Sequence, residues 1–176
     1  YMILFYDKNI SKNSLNHELN NEQSHHLYNV LRKTKGFKLT VTDGNGLEWL
    51  GEIYSYKNKK VELKKISLKI HEKSKNKIHL VIAPAKNIKR MEWMLEKLTE
   101  IGITSITPVL CDHSERKSLK TERLKKIMIS ALKQSKQFFL PELYPMISFD
   151  NYIEGIKKPF YIAHCMDENL KNLFEI

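Results

Sequence analysis

The chain reads as an α+β protein in two units, a small β-barrel followed by an α/β domain. Three observations predict this. Apolar and polar residues alternate in short runs through residues 1 to about 70, the period-two texture of half-buried strands. From residue 78 onward, apolar runs of strand length alternate with longer stretches of helical spacing. Between these regions His71-Glu72-Lys73-Ser74-Lys75-Asn76-Lys77 is charged and lacks apolar periodicity, which marks a linker over 71–77.

In the first unit, 1–70, Met2-Ile3-Leu4-Phe5-Tyr6 is an apolar opening strand. A short helix follows from about Glu22 to Lys33, with Asn20 or Asn21 as its cap. Leu39-Thr40-Val41-Thr42 alternates and meets Asp43-Gly44-Asn45-Gly46, whose Asp-Gly and Asn-Gly steps supply the positive φ of a tight hairpin. The return strand carries Leu47, Trp49, Gly51 and Ile53. After the turn Lys57-Asn58-Lys59-Lys60, Val61 and Leu63 alternate with Glu62 and Lys64. Ile66, Leu68 and Ile70 then continue one face after a register slip of the kind a bulge produces.

The second unit, 78–176, has three expected strands: Ile78–Ala83, Ile103–Leu110 and Phe160–Ala163. Ile88, Met91, Leu95, Leu98 and Ile101 repeat at helical spacing, and Gly102 is placed to end that helix in the left-handed conformation. Leu124, Ile127, Met128, Ala131 and Leu132 repeat likewise, with Thr121 as expected N-cap. Pro141 and Pro145 bar further helix there. A short helix is expected from Phe149 to Ile156, closed by Gly155, and a last helical stretch from Glu168 to Phe174.

Lys and Arg number 30 against 20 Asp and Glu, a formal net charge of +10 with a pI near 9.5, which favours a polyanionic partner. Cys111 and Cys165 are too few for a disulfide framework and lack zinc-site spacing, so reduced thiols are expected. No apolar run approaches the ~20 residues that span a bilayer. Without a charged-then-apolar leader, a cytoplasmic location and no membrane partner are expected. Tyr1 ahead of Met2 is read as a tag remnant.

Parallel strands joined by helices bind ligands at their carboxyl ends, and here two of those ends are densely basic. One carries Lys86, Lys89 and Arg90; the next carries Arg116 and Lys117. Lys89 and Arg90 open a helix, where the dipole already places positive charge, a cost a protein tolerates where an anion sits. Arg32 and Lys33 at the end of the first-unit helix are further candidates for phosphate contact. Trp93 and Glu96 lie off the apolar stripe and are available to a partner. Gln134, Ser135, Lys136 and Gln137 end a helix, where their amides can orient a base or simply finish the helix. His26 reads as structural. Asp112 and His113 are adjacent without further converging ligands, so no metal is expected. Ser114 lacks the strand–turn–helix elbow of a nucleophile. None of the six glycines forms a phosphate cradle, and no catalytic base is identified.

Taken in order, several blocks resemble the RsmE family of 16S rRNA uridine-N3 methyltransferases. They are His26-Leu27-Tyr28-Asn29-Val30-Leu31-Arg32, Asp43-Gly44, Lys89-Arg90-Met91-Glu92 leading into Glu96–Gly102, Ser114-Glu115-Arg116, and Ala131 through Gln134-Ser135 to Pro141-Glu142-Leu143. The resemblance implies a PUA-like barrel that binds RNA, followed by the N-terminal part of a SPOUT α/β domain with a trefoil knot. It implies S-adenosylmethionine as methyl donor, 16S rRNA of the small ribosomal subunit as substrate, a role in ribosome biogenesis, and a homodimer. The family's Gly-Pro-Glu-Gly-Gly loop and later Leu-Arg-x-Glu-Thr stretch are absent from these residues. His164 would lie on the approach to the pocket they form. The chain is therefore read as truncated and, on its own, is expected not to bind the donor. Gln137 stands where many relatives carry an arginine. The rival expectation is a non-catalytic RNA-binding or assembly factor whose barrel does the work.

Overall fold

The computed structural model describes residues 3–156 and 160–163. Its first sheet contains β1 (Leu4–Tyr6), β2 (Asn16–Glu18), β3 (Lys38–Thr42), β4 (Leu47–Lys57) and β5 (Lys60–Ile70), in spatial order β1-β3-β4-β5-β2. β3, β4 and β5 form an antiparallel meander, β1 adds parallel to β3, and β2 adds antiparallel to β5. The β4–β5 connection is a two-residue turn with Asn58 and Lys59 both at positive φ, whose twist matches the flanking strands. Along β4 Leu47, Trp49, Gly51 and Ile53 are buried and alternate with half-exposed neighbours. They meet Leu39 and Val41 of β3, Val61 and Leu63 of β5, and Leu27 in one core.

The expected barrel is not closed. β1 and β2 are the free edges of the sheet, with no ladder between them among the described residues. Helix α1 (Asn21–His25) spans the seam with side chains instead. Gln23 Nε2 donates to Tyr6 O of β1 at 2.8 Å, and buried Ser24 Oγ accepts from Val61 N of β5 at 3.0 Å while donating to Leu19 O at 3.1 Å. Buried backbone groups must be satisfied by something, and here a helix replaces the missing strand pairing.

Asn20 caps α1, its Oδ1 accepting from Gln23 N at 2.9 Å. The expected helix through Lys33 does not continue regularly. It passes into a π-helical turn, His26–Val30, and stops with Arg32 at φ +49°. The expected register slip in β5 is present: Leu50 faces Ser67 and Gly51 faces Lys65, so Ile66 is the extra residue of a bulge. Ile66 and Ile70 are nonetheless exposed, and Leu68 alone of that trio packs on the core. β2 was not expected at all.

The second sheet is parallel and centred on β7 (Ser105–Leu110). β6 (His79–Ile82) lies on one side; β8 (Glu142–Leu143) and β9 (Ile147–Ser148) follow each other along the other. Helices α2 (Ile88–Ile101) and α3 (Thr121–Ser135) pack on one another. Their Met91, Leu95, Leu124 and Met128 bury Ile103 and Ile106 in a second core. Gly102 ends α2 at φ +80°, as its position predicts. Thr121 proves to be the first helical residue rather than the cap, because Arg123 N and Leu124 N both bond to Lys120 O. α4 (Phe149–Gly155) is capped by Ser148.

The third expected strand, Phe160–Ala163, is not one. These residues are exposed and pair with nothing among the described residues, and the place beside β7 is taken by β8 and β9. An apolar run without a facing surface has no reason to extend as a strand. The helix expected over Glu168–Phe174 lies outside the described residues.

The two sheets meet through the β3–β4 hairpin loop. Gly46 N donates to Phe138 O at 2.8 Å and Leu140 N to Gly44 O at 2.9 Å, so Asn45 and Phe139 form a single antiparallel bridge. His71 completes the joint: its N–H bonds Gly46 O at 2.8 Å, its ring stacks on Phe138 at 4.3 Å, and its Nε2 meets Glu48 Oε2 at 2.6 Å. Gly46 has φ +97°, and a Cβ there would lie 2.6 Å from Phe139 Cζ and 2.7 Å from His71 O. Glycine is required by conformation and by space together.

Candidate nucleic-acid interface

The carboxyl ends of β6 and β7 open into two loops, and both are built from the chain's own hydrogen bonds. Ser114 Oγ accepts from Cys111 N at 3.0 Å while Ser114 N donates to Cys111 O at 2.9 Å, closing a tight turn directly after β7. Arg116 reaches across to the loop after β6, donating from Nη2 to Lys86 O at 2.6 Å and from Nε to Ala85 O at 3.3 Å. Lys86 Nζ lies 2.8 Å from Glu115 Oε2, with both side chains well exposed. Such a surface pair contributes little to stability, of order 0–1 kcal/mol. Together these contacts frame a shallow cavity of about 340 Å³ lined by Ala83, Pro84, Lys86, Cys111, His113, Ser114 and Glu115.

Lys86, Lys89, Arg90, Arg116 and Lys117 all follow the carboxyl ends of β6 and β7 in the chain, but they divide by occupation. Arg116 serves as a staple between loops, and Lys86 is engaged by Glu115. Lys89, Arg90 and Lys117 are exposed, and among the described residues no carboxylate lies within ion-pair distance of them. Asn87 caps α2, with Oδ1 accepting from Lys89 N at 3.0 Å. The first turn of α2 holds no acidic residue, so its two cations stand uncompensated on the positive end of the helix. Arg32 and Lys33 lie in the other unit. Arg32 is exposed, while Lys33 Nζ rests 4.7 Å from the centroid of the Phe37 ring.

Gln137 and Ser135, also singled out from sequence, make structural contacts. Gln137 Nε2 donates to Glu100 O at 3.0 Å, satisfying a carbonyl at the end of α2. Ser135 Oγ bonds back to Ala131 O at 2.8 Å, and Lys136 caps α3 at φ +57°. His26 is exposed, and its carbonyl takes part in the π-turn by accepting from Leu31 N at 2.9 Å. Trp93 is 63% exposed on α2, and Glu96 pairs with Lys97 at 2.9 Å. Among the described residues no three His, Cys, Asp or Glu side chains converge as a metal would need. No helix there is long and apolar enough to cross a membrane. His164 and Cys165 lie outside the described residues.

Aromatic residues escaped the sequence reading. Tyr28 and Tyr56 stack with nearly parallel planes and centroids 3.9 Å apart, and Lys35 Nζ lies 5.5 Å from the centroid of Tyr54. Basic residues interleaved with exposed aromatics were present in the sequence as Tyr54-Ser55-Tyr56-Lys57, but their faces depend on a bulge that the sequence does not announce.

Comparison with known proteins places this architecture. An RNA methyltransferase domain model matches residues 72–176, and an RNA methyltransferase PUA domain model matches residues 19–66. A protein of Aquifex aeolicus named ribosomal RNA small subunit methyltransferase E is 29% identical over 129 residues, covering 61% of this chain and 56% of its own length. The protein of that name in Rickettsia conorii is 27% identical over 156 residues, covering 88% of this chain and 63% of its own length. A crystal structure from Porphyromonas gingivalis described as a probable rRNA-methyltransferase superposes with a TM-score of 0.80 at 34% identity, covering 90% of this chain and 65% of that one. A structure from Legionella pneumophila described as a putative methyltransferase in complex with the bound cofactor SAM gives 0.76 at 28% identity, covering 89% of this chain and 67% of that one. The chain spans between about half and two thirds of the length of the curated relatives it matches. Its fold is that of a PUA-like unit followed by a SPOUT-type methyltransferase domain. The chain belongs to the RNA methyltransferase family that includes the RsmE proteins.

Proposed function

We propose that this chain is the RNA-gripping portion of an rRNA methyltransferase that transfers a methyl group from S-adenosylmethionine to N3 of one uridine in small-subunit 16S rRNA. The family match over residues 72–176 carries the reading, and the pair of uncompensated cations at the start of α2 supports it. In the reaction the uridine loses its N3 proton, an N3–CH3 bond forms and the sulfonium S–CH3 bond breaks. Most of the rate then comes from presenting the two atoms in line, with the base splayed from its stack.

Residues 1–70 are assigned to RNA binding, 71–77 to the joint and 78–176 to the methyltransferase unit. Arg32, Lys33, Lys89, Arg90 and Lys117 would hold phosphates, which sets register more than sequence choice. Lys86 would join them once an RNA phosphate competes for Glu115's partner, and Arg116 would act by holding the two loops together. A cytoplasmic homodimer built on the methyltransferase unit belongs to the same reading.

The strand-end cavity is shallow, and two of the charges that line it, Lys86 and Glu115, are engaged with each other. It suits a phosphate-bearing rim. His164 is proposed at the donor's approach from family likeness alone.

The test is chemical. Small-subunit rRNA from cells lacking the gene should lose one N3-methyluridine by nucleoside mass spectrometry and regain it on complementation. Unchanged rRNA would overturn the enzymatic reading.

A further inference from the structure

Two single-residue irregularities in the first unit bring one pair of rings together. In α1's continuation, the π-turn adds a residue to the regular helical spacing: Leu31 N bonds His26 O at 2.9 Å and Lys33 N bonds Leu27 O at 3.0 Å. Leu27 remains fully buried while Tyr28 turns outward, 41% exposed. Arg32 ends the segment in the left-handed region, a conformation a non-glycine residue adopts at a cost of about 1–2 kcal/mol.

The second irregularity lies on β4. Ile53 faces Leu63, Ser55 faces Glu62 and Tyr56 faces Val61, so Tyr54 is the extra residue of a bulge. Without it, strict alternation would put Tyr56 on the opposite face of the sheet. With it, Tyr56 joins Val61 on the core side, where the sheet's rim meets the π-turn. There it stacks on Tyr28 with centroids 3.9 Å apart and planes within 4°. Both π-turns and bulges concentrate at functional sites, and here each is necessary to the same contact.

The contact is a stacked aromatic pair with nearly parallel ring planes. Both rings also stay open to solvent, Tyr56 at 36% exposure. Around them the chain places exposed Arg32 one helical turn from Tyr28, and exposed Lys57 and Lys59 beside Tyr56. Of the carboxylates around the pair, Glu62 accepts from Ser55 Oγ and Glu18 pairs with Lys60, while Glu22 of α1 is exposed.

We infer that the Tyr28–Tyr56 pair is a stacking platform for an unpaired RNA base. Every nucleobase has a π-face, and the solvent-open side of a stacked aromatic pair offers it a matching surface. The neighbouring cations meet the phosphates on either side. Such stacking is tolerant of base identity and contributes about 1–3 kcal/mol per base. The inference rests on the proposed RNA-binding role and adds to it a site for single-stranded nucleotides, separate from the rim at Lys89 and Arg90.

Fluorescence anisotropy of a short fluorescein-labelled oligouridine, titrated with the chain at several salt concentrations, tests it. Tyr28→Ala and Tyr56→Ala should each weaken binding by roughly 5- to 150-fold. The slope of log affinity against log salt should not change, because no phosphate contact is lost. Tyr28→Phe and Tyr28→Trp should retain binding, whereas Tyr56→Leu, which fills the same space without a π-system, should not. Affinity of the Leu variant equal to wild type, with circular dichroism showing all variants folded, would reduce the pair to hairpin packing and end the proposal. If the alanine variants bind as wild type while neutralising Lys89 and Arg90 flattens the slope, the platform alone falls. If the wild-type chain binds no RNA, platform and RNA-binding role fall together.

Discussion

His17 shows how burial and an ion pair compete at one residue. Its side chain is largely buried against the edge of Trp49, and Nε2 lies 3.3 Å from Asp7 Oδ2 without the alignment of a hydrogen bond. Desolvation pulls its pKa below the ordinary 6.5, and the Asp7 and Glu18 carboxylates recover only part of that. The unfolded chain therefore binds this proton more tightly than the folded one. The stability from neutral His17 is fully present above pH 6.5 and is lost as pH falls through that value toward the lower folded pKa. Partial burial lowers His79 in the same sense, with its ring bonded to Ser105 Oγ at 2.7 Å. Urea midpoints measured above and below pH 6.5 should fall on acidification, and His17→Gln should flatten that fall in part. An equal fall in the variant would transfer the effect to His79. The sequence marks His17 only as one histidine among seven. Its role depends on β2, a three-residue strand too short to leave a pattern.

Among the elements, α2 was readable because two local signals agree, an apolar stripe and a glycine placed to end it, while its cap Asn87 emerged only from the structure. The irregular elements were not readable for a common reason. A π-turn, a bulge at Tyr54 and the two-residue strands β8 and β9 each shift the chain by one residue or add one rung. Such shifts are decided by what packs against them and not by local propensity. The Ile66 bulge is the exception, because its slip interrupts an apolar face long enough to be seen. For α2 the dipole argument makes a prediction with two signs. Lys89→Gln with Arg90→Gln removes cations from the positive helix end, so thermal stability should rise slightly, by about 0.3–1 kcal/mol per charge. The same double variant should bind RNA more weakly and flatten the salt dependence by roughly one unit of slope per lost phosphate contact. Solvated surface lysines with no anionic partner would give neither effect on binding, and a loss of stability would show that the two residues make structural contacts instead.

The whole molecule depends on how two cationic surfaces are held relative to each other. The linker expected over 71–77 hides the fact that His71 is part of the joint, bonded to Gly46 and stacked on Phe138. Asp43-Gly44-Asn45-Gly46 likewise reads as an ordinary hairpin turn, yet its two glycines are the surface on which Phe139 and Leu140 dock. Neither could be inferred from pattern, since the bridge partner of the hairpin lies about ninety residues away and His71 stacks on a residue of a distant loop. Joining the two units through these contacts has a measurable consequence for a polyanion that touches both surfaces. When one is engaged, the second binds at an effective concentration set by the joint. Phe138→Ala removes the stack under His71 and leaves Arg32, Lys33, Lys89 and Arg90 untouched. Thermal unfolding should then separate into two transitions. Affinity for an RNA long enough to span both surfaces should fall roughly tenfold or more, while affinity for a short oligonucleotide reaching one of them stays the same. The salt slope for the long RNA should be preserved, because the phosphate contacts remain and only their coordination is lost. Equal losses for long and short RNA would mean that Phe138 acts at a single surface, and the joint would then be structural without being a gauge of distance between them.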